Sequence, residues 1–90
     1  MNHEVWKSPM KFLVTGGAGF IGSNFIRHML DLHPDLEIIN YDILTYAGNL
    51  DNLKDIDKQP RYTFIKGDIC DQALVNAVLK KFPVDAIVHF

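Results

Sequence analysis

The chain has one cysteine, Cys70, in ninety residues, so it cannot form an internal disulfide and nothing in it points to an oxidising compartment. It has no basic excess either. Nine lysines and arginines stand against eleven aspartates and glutamates, the formal net charge is -2, and the positive residues are scattered, which argues against a nucleic-acid partner. No apolar run approaches the roughly 20 residues of a membrane span. The opening segment, MNHEVWKSP, lacks the continuous apolar stretch of a secretory signal. It reads as a loosely held tail over residues 1–9, ahead of Met10 as a second candidate start, with an edge strand as the alternative. There is no internal repeat, low-complexity tract or linker rich in Gly, Ser or Pro. With 48% hydrophobic residues the expectation is a soluble, cytoplasmic globular protein. A chain this short buries only about 60–65% of its unfolded surface, so one domain is the ceiling and part of a larger domain is the other reading.

What the chain does have is an alternation of two periods. Phe12-Leu13-Val14, ended by Thr15-Gly16-Gly17, reads as a strand buried on both faces. Ile21, Phe25, Ile26, Met29 and Leu30 recur at three- and four-residue spacings and predict a helix from Phe20 to Leu32, stopped by His33-Pro34. Leu36 to Tyr41 is a second strand and Tyr62 to Lys66 a third, with one or two helical turns between them in Leu50 to Asp57. Asp71 to Phe82 is a second helix capped by Asp71, and Asp85 to Phe90 is a fourth strand. Strands alternating with helices imply a parallel sheet. The order β-α-β-β-α-β over residues 10–90 is the first half of a Rossmann-type, doubly wound α/β domain.

The chemistry lies between the first strand and the first helix. Thr15-Gly16-Gly17-Ala18-Gly19-Phe20-Ile21-Gly22 fits both Gly-x-x-Gly-x-x-Gly and Gly-x-Gly-x-x-Gly, and its place at a strand-to-helix turn gives the pattern its weight. Gly16 serves the reversal of the chain, Gly19 the close approach of backbone to a pyrophosphate, and Gly22 the approach of helix to sheet. The helix then aims free N–H groups and the positive end of its dipole at the pyrophosphate. A glycine-rich turn without a ligand is the plain alternative. A Walker-type phosphate loop is excluded, because Gly22 is followed by Ser23-Asn24 and no lysine occurs between Gly22 and Lys54.

Twenty residues beyond Gly22, at the end of the second strand, stands Asp42. A carboxylate there can accept hydrogen bonds from both adenosine ribose hydroxyls and would repel the extra phosphate of NADP. Ile43-Leu44-Thr45 follow without an arginine to offset that repulsion, so NAD is the expected cofactor. The alternative is an aspartate that merely caps a strand-end turn.

The runs Gly16 to Asn24, Asp42-Ile43-Leu44-Thr45-Tyr46-Ala47-Gly48-Asn49-Leu50 and Gly67-Asp68-Ile69-Cys70-Asp71 resemble the extended short-chain dehydrogenase/reductase family, the NAD-dependent epimerases and dehydratases. Within it, Leu44 to Leu50 resembles the dTDP-glucose 4,6-dehydratase branch of deoxysugar biosynthesis. The likeness runs from Met10 to Phe90. It implies that Phe20 and Ile21 offer backbone N–H groups to the pyrophosphate and that Asp42, Ile43, Leu44 and Thr45 line the adenosine ribose. It further implies that Asp68 and Ile69 bracket the adenine and that Phe90 opens the stretch beside the nicotinamide. For Asp68, a role in the capping turn of the next helix stays open.

The implied reaction is conversion of dTDP-glucose to dTDP-4-keto-6-deoxyglucose, a dehydration in which NAD takes a hydride from the sugar and returns it. The family performs it with a Tyr-x-x-x-Lys pair, a Thr or Ser and an Asp-Glu couple, which in the family's order lie beyond Phe90. The resemblance therefore implies an N-terminal fragment with no catalytic residue of its own, inactive alone, from an enzyme with a nucleotide-sugar substrate and a homodimeric full-length form. His89, between Val88 and Phe90, reads as structural before catalytic. His3, His28 and His33 show no metal-ligand spacing, and Cys70 is read as filling space beside the second helix. A nucleotide-sugar 4-epimerase or decarboxylase, and a dinucleotide-binding module without turnover, remain the alternatives.

Overall fold

The computed structural model describes residues 10–44 and 50–90, and for Leu50 and Asp51 the backbone alone. Four strands, β1 (Lys11–Thr15), β2 (Glu37–Asp42), β3 (Tyr62–Lys66) and β4 (Ala86–His89), form one parallel sheet in the order β3-β2-β1-β4. Two helices, α1 (Phe20–Leu32) and α2 (Gln72–Lys81), and a short 3-10 helix (Leu50–Leu53) complete the order of elements. The expected parallel α/β arrangement is what forms. β2 begins one residue later than its apolar run suggests, because the Leu36 N–H closes a turn onto the His33 carbonyl and pairing starts at Glu37, opposite Lys11.

The central strands read as unbroken apolar runs because both of their faces are covered. On one face Phe12 and Val14 of β1 and Ile38 of β2 pack against Ile26 and Leu30 of α1, with Leu53, Ile56 and Tyr62 closing the layer. On the other, Leu13, Ile39 and Tyr41 pack against Val78 of α2. Each such aliphatic side chain, fully buried, contributes about 1.5–3 kcal/mol. β4 is covered on one side only: Ala86 and Val88 join the α1 layer, while Ile87 is 58% exposed on the α2 side.

Local chemistry fixes the ends. The Asp71 carboxylate accepts the Leu74 N–H at 3.1 Å and starts α2 as expected, and Lys80 and Lys81 sit in its last turn, where the dipole favours positive charge. α1 has no basic residue in its last turn. Arg61 instead ties that turn to the connection that follows, its guanidinium donating to the carbonyls of Leu30 in α1, of the C-cap His33 and of Leu36 at 3.0 Å each. A second arginine, Arg27, clamps Asp55 with two bonds of 2.6 and 2.8 Å and holds the residues after the 3-10 helix against α1.

In this strand order β2 and β3 extend the sheet to one side of β1, and α2 leads back across to β4 on the other side. Such a switch point opens a crevice at the carboxyl ends of the strands, between β1 and β4. Among the described residues no helix is long and apolar enough to cross a membrane.

Candidate functional site

A cavity of about 630 Å3 lies at that switch point and draws lining residues from the ends of β1, β2 and β4 and the turn after β3. Its wall on one side is the glycine turn. Gly16 has φ +74°, a left-handed conformation that glycine adopts freely, and a Cβ there would come within 3.0 Å of the Phe90 carbonyl. At Gly22 a Cβ would sit 2.5 Å from the Gly16 carbonyl oxygen, so this glycine is what lets α1 close onto the turn. Gly19 differs from both. It is the N-cap of α1 at φ -72°, ψ 171°, extended backbone open to any residue, so no backbone constraint calls for a glycine at this point of the cavity wall.

The N–H groups of the turn divide into two sets. Gly16 donates to the Tyr41 carbonyl at 3.2 Å, Gly17 to Asn40 Oδ1 at 3.1 Å, Ala18 to Asp42 Oδ2 at 2.8 Å and Gly19 to the Gly16 carbonyl at 3.3 Å. The first helical bond runs from the Ser23 N–H to the Gly19 carbonyl. Among the described residues the N–H groups of Phe20, Ile21 and Gly22 are the donors left over in the first turn, and all three residues line the cavity. No side chain caps this end and its first turn holds no acid, so the positive end of the helix dipole faces the cavity.

Asp42 lines the cavity beside the glycine turn and is 7% exposed. Its carboxylate accepts from Ala18 and, through Oδ1 at 2.8 Å, from the Leu44 N–H. Among the described residues two of its roughly four acceptor positions are thereby used. The turn-capping reading and the ligand-facing placement therefore coincide in one residue. Ile43 lines the cavity, whereas Leu44 does not: at φ +59° its side chain turns away and packs against the core on the α1 side. Thr45 lies outside the described residues.

Asp68 and Ile69, after β3, also line the cavity, and Ile69 is half exposed. The Asp68 carboxylate accepts the Cys70 N–H at 2.9 Å, the local turn that the competing reading anticipated, while its carbonyl takes the Tyr41 hydroxyl at 2.7 Å. Burial, then the charges of Asp71 and Asp68, push the Tyr41 phenol above its usual range, so it stays a donor. Cys70 is exposed, contrary to the expectation that it fills space, because its side chain stands on the solvent side of this turn.

At the floor, His89 Nδ1 and Thr15 Oγ1 are hydrogen-bonded across β4 and β1. The Phe90 N–H donates to the Thr15 carbonyl at 3.0 Å, and the Phe90 ring packs on Phe25 at 5.2 Å, tilted by 58°. No lysine or arginine lines the cavity among the described residues, and no group of His, Cys, Asp and Glu among them could hold a metal ion. Tyr62 and Lys66 have Tyr-x-x-x-Lys spacing but sit on strand β3, where four residues span roughly 13 Å and not one helical turn. Neither lines the cavity.

Of the expected site residues, Gly16, Gly19, Phe20, Ile21, Gly22, Asp42, Ile43, Asp68, Ile69 and Phe90 meet around one cavity. Thr15, Tyr41 and Gly67 join them unforeseen, and so does His89, which reads as structural in the sequence. A Cβ at Gly67 would lie 2.5 Å from the Tyr41 ring, so a glycine directly after a strand was the available signal.

The model of the family described as GDP-mannose 4,6 dehydratase matches residues 13–90. A dTDP-glucose 4,6-dehydratase of Salmonella typhimurium is 48% identical over 80 residues, 89% of this chain and 22% of that protein. The structure of dTDP-glucose 4,6-dehydratase from Bacillus anthracis in complex with NAD is similar with a TM-score of 0.88 at 52% identity, covering 90% of this chain and 26% of that one. The UDP-Glc/GlcNAc 4-epimerase of Campylobacter jejuni is similar at 36% identity and a TM-score of 0.79, over 90% of this chain and 24% of that one. The chain thus spans 22% of the length of the curated relative it matches. Since the family match takes in the glycine turn, both helices and every strand end around the cavity, the chain belongs to the GDP-mannose 4,6 dehydratase family.

Proposed function

We propose that this chain is the NAD-binding part of a nucleotide-sugar 4,6-dehydratase that acts on dTDP-glucose. One juxtaposition carries the reading: three uncommitted N–H groups at the start of α1 face the same cavity as the half-committed carboxylate of Asp42. The first would hold a pyrophosphate and the second an adenosine ribose. The residues fit the cofactor sterically as well, since Gly19 is free of any backbone demand for glycine and stands where a pyrophosphate would press against the chain. A volume of about 630 Å3 is ordinary for a small-molecule site.

In this reading Phe20, Ile21 and Gly22 bind the two phosphates through their backbone, without a cation. Asp42 orients the ribose and disfavours a 2′-phosphate, which sets NAD above NADP. Asp68 and Ile69 flank the adenine, and Phe90 and the His89–Thr15 pair form the floor near the nicotinamide. NAD held by these residues would supply reversible hydride transfer to and from the sugar, so that the net reaction is a dehydration. The groups that move protons in that reaction are assigned outside these ninety residues. The dehydratase is preferred to a 4-epimerase because the dehydratase of Bacillus anthracis shares 52% of the matched sequence and the 4-epimerase of Campylobacter jejuni 36%. A cytoplasmic, homodimeric full-length enzyme is part of the proposal.

The cofactor test is titration of the chain with NAD and NADP, with tighter NAD binding expected and tighter NADP binding overturning the assignment of Asp42. For the activity, the ninety residues replace the matching segment of the Salmonella relative. Formation of the 4-keto product by this chimera is expected, and a folded, NAD-loaded chimera without turnover of dTDP-glucose would refute the reading that this segment serves such a dehydratase.

A further inference from the structure

We propose that Asn40 is the positioning residue of the phosphate-binding turn, a role that rests on the NAD-binding reading above. Asn40 lies within β2 and is fully buried, on the face where Val14, Ile26 and Ile38 are apolar. A side-chain amide in such a layer is costly unless both ends are paired. Here both are. Oδ1 accepts the Gly17 N–H at 3.1 Å, and Nδ2 donates to the Tyr62 hydroxyl oxygen of β3 at 3.1 Å. The Gly17 N–H can only donate, so the carbonyl end of the amide must face the turn and the nitrogen must face the phenol.

The contact is close as well as directional. A Cβ on Gly17 would overlap Asn40 Oδ1, and it would come 2.5 Å from Ile26 Cδ1. Gly17 is therefore pressed between a strand amide and the apolar face of α1, two residues before Gly19 and three before the first free N–H. Asp42 grips the next residue, Ala18, and Asn52 Nδ2 donates to the Ala18 carbonyl at 3.0 Å. The Asn40 and Asp42 holds are both buried, but Asp42 lines the cavity and Asn40 does not, so the Asn40 hold stands away from the ligand. It fixes the height of the turn over the sheet and so the direction of the Phe20, Ile21 and Gly22 N–H groups, without touching the cofactor.

The test compares the unaltered chain with Asn40→Leu, Asn40→Asp and Tyr62→Phe against three ligands: NAD, ADP and adenosine. In Asn40→Leu, affinity for the two pyrophosphates should fall about tenfold or more, while adenosine, held at Asp42 and Asp68, stays within about twofold. Asn40→Asp keeps an acceptor for Gly17 and should recover most of the loss, and Tyr62→Phe should cost less than Asn40→Leu. Equal loss for all three ligands, or no loss for any, overturns the proposal. Should Asn40→Leu fail to fold, Asn40→Ser, too short to reach Gly17, replaces it with the same expected split. If the unaltered chain binds no NAD, the proposed function falls on its own. Exchange of the Gly17 amide then decides the positioning role: it should quicken about tenfold in Asn40→Leu against a Leu13 reference, and an unchanged rate overturns it.

Discussion

Replacing Asp42 by alanine removes one carboxylate from two tasks, and the structure lets the two losses be estimated apart. In the folded chain the carboxylate holds the N–H groups of Ala18 and Leu44, both at 2.8 Å. Ala18 is fully buried, so its donor would be orphaned at roughly 1.5–3 kcal/mol, the range for bonds to a charged acceptor. Leu44 is only half buried, and water can replace most of its bond at a cost of about 0.5–1 kcal/mol. The expected loss is therefore about 2–4 kcal/mol, against a total stability of roughly 5–13 kcal/mol for ninety residues. The second loss is in binding. Two ribose hydroxyls lose a charged acceptor, which should weaken NAD by about 30- to 150-fold. NADP should weaken less, because the repulsion of its 2′-phosphate disappears with the charge. Urea unfolding followed by titration with both dinucleotides reads both quantities. Asp42→Asn, which keeps an acceptor for one of the two N–H groups, should retain more stability yet still narrow the gap between NAD and NADP. A stability change under about 0.5 kcal/mol in Asp42→Ala would show that the carboxylate does not hold the turn. An unchanged NAD-to-NADP ratio would remove it from the ribose.

Three further outcomes follow from other residues. Gly19→Val should fold, since extended backbone at φ -72° accepts a branched residue, yet it should not bind NAD; a folded variant that binds normally would show that nothing approaches the chain there. Arg61→Ala should cost about 1.5–3 kcal/mol in urea unfolding, because three carbonyls between the last turn of α1 and the start of β2 lose one planar donor, and a smaller loss would mean that water serves them equally well. Hydrogen bonding from Arg27 holds the Asp55 carboxyl below the usual carboxylate range. Its folded pKa lies below the unfolded one, so its contribution to stability is present above about pH 4 and is lost as the pH falls through the folded value. Asp55→Asn should flatten that acid limb, and an unaltered limb would show that the pair adds nothing.

What could be read in advance was what local spacing controls. α1 spans the expected Phe20 to Leu32 and β3 the expected Tyr62 to Lys66, because apolar periodicity and a following proline or glycine are short-range signals. Asp71 was legible for the same reason, its partner Leu74 being three residues away. Asn40 was not, since it stands in a run that scans as a buried strand and its partners Gly17 and Tyr62 lie 23 and 22 residues off. Leu44 was placed toward the ligand, but its left-handed backbone, set by the bond to Asp42, carries the side chain into the core, and no glycine marks the turn. The two readings of Asp68 could not be separated because the residue does one thing with its carboxylate and lines the cavity as well.

The absence of lysine and arginine from the cavity walls, among the described residues, bears on how a ligand would arrive. A charge acts over about 8 Å at physiological ionic strength, whereas helix-end N–H groups lose their pull within the first turn. Walls carrying Asp42 and Asp68, in a chain of formal net charge -2, would not gather phosphates from a distance. Association with a dinucleotide should then proceed without electrostatic steering, at a rate largely indifferent to added salt, and recognition should begin only at contact. The same arrangement gives no phosphate an advantage at a distance, so selectivity among abundant phosphates rests on fit within the crevice.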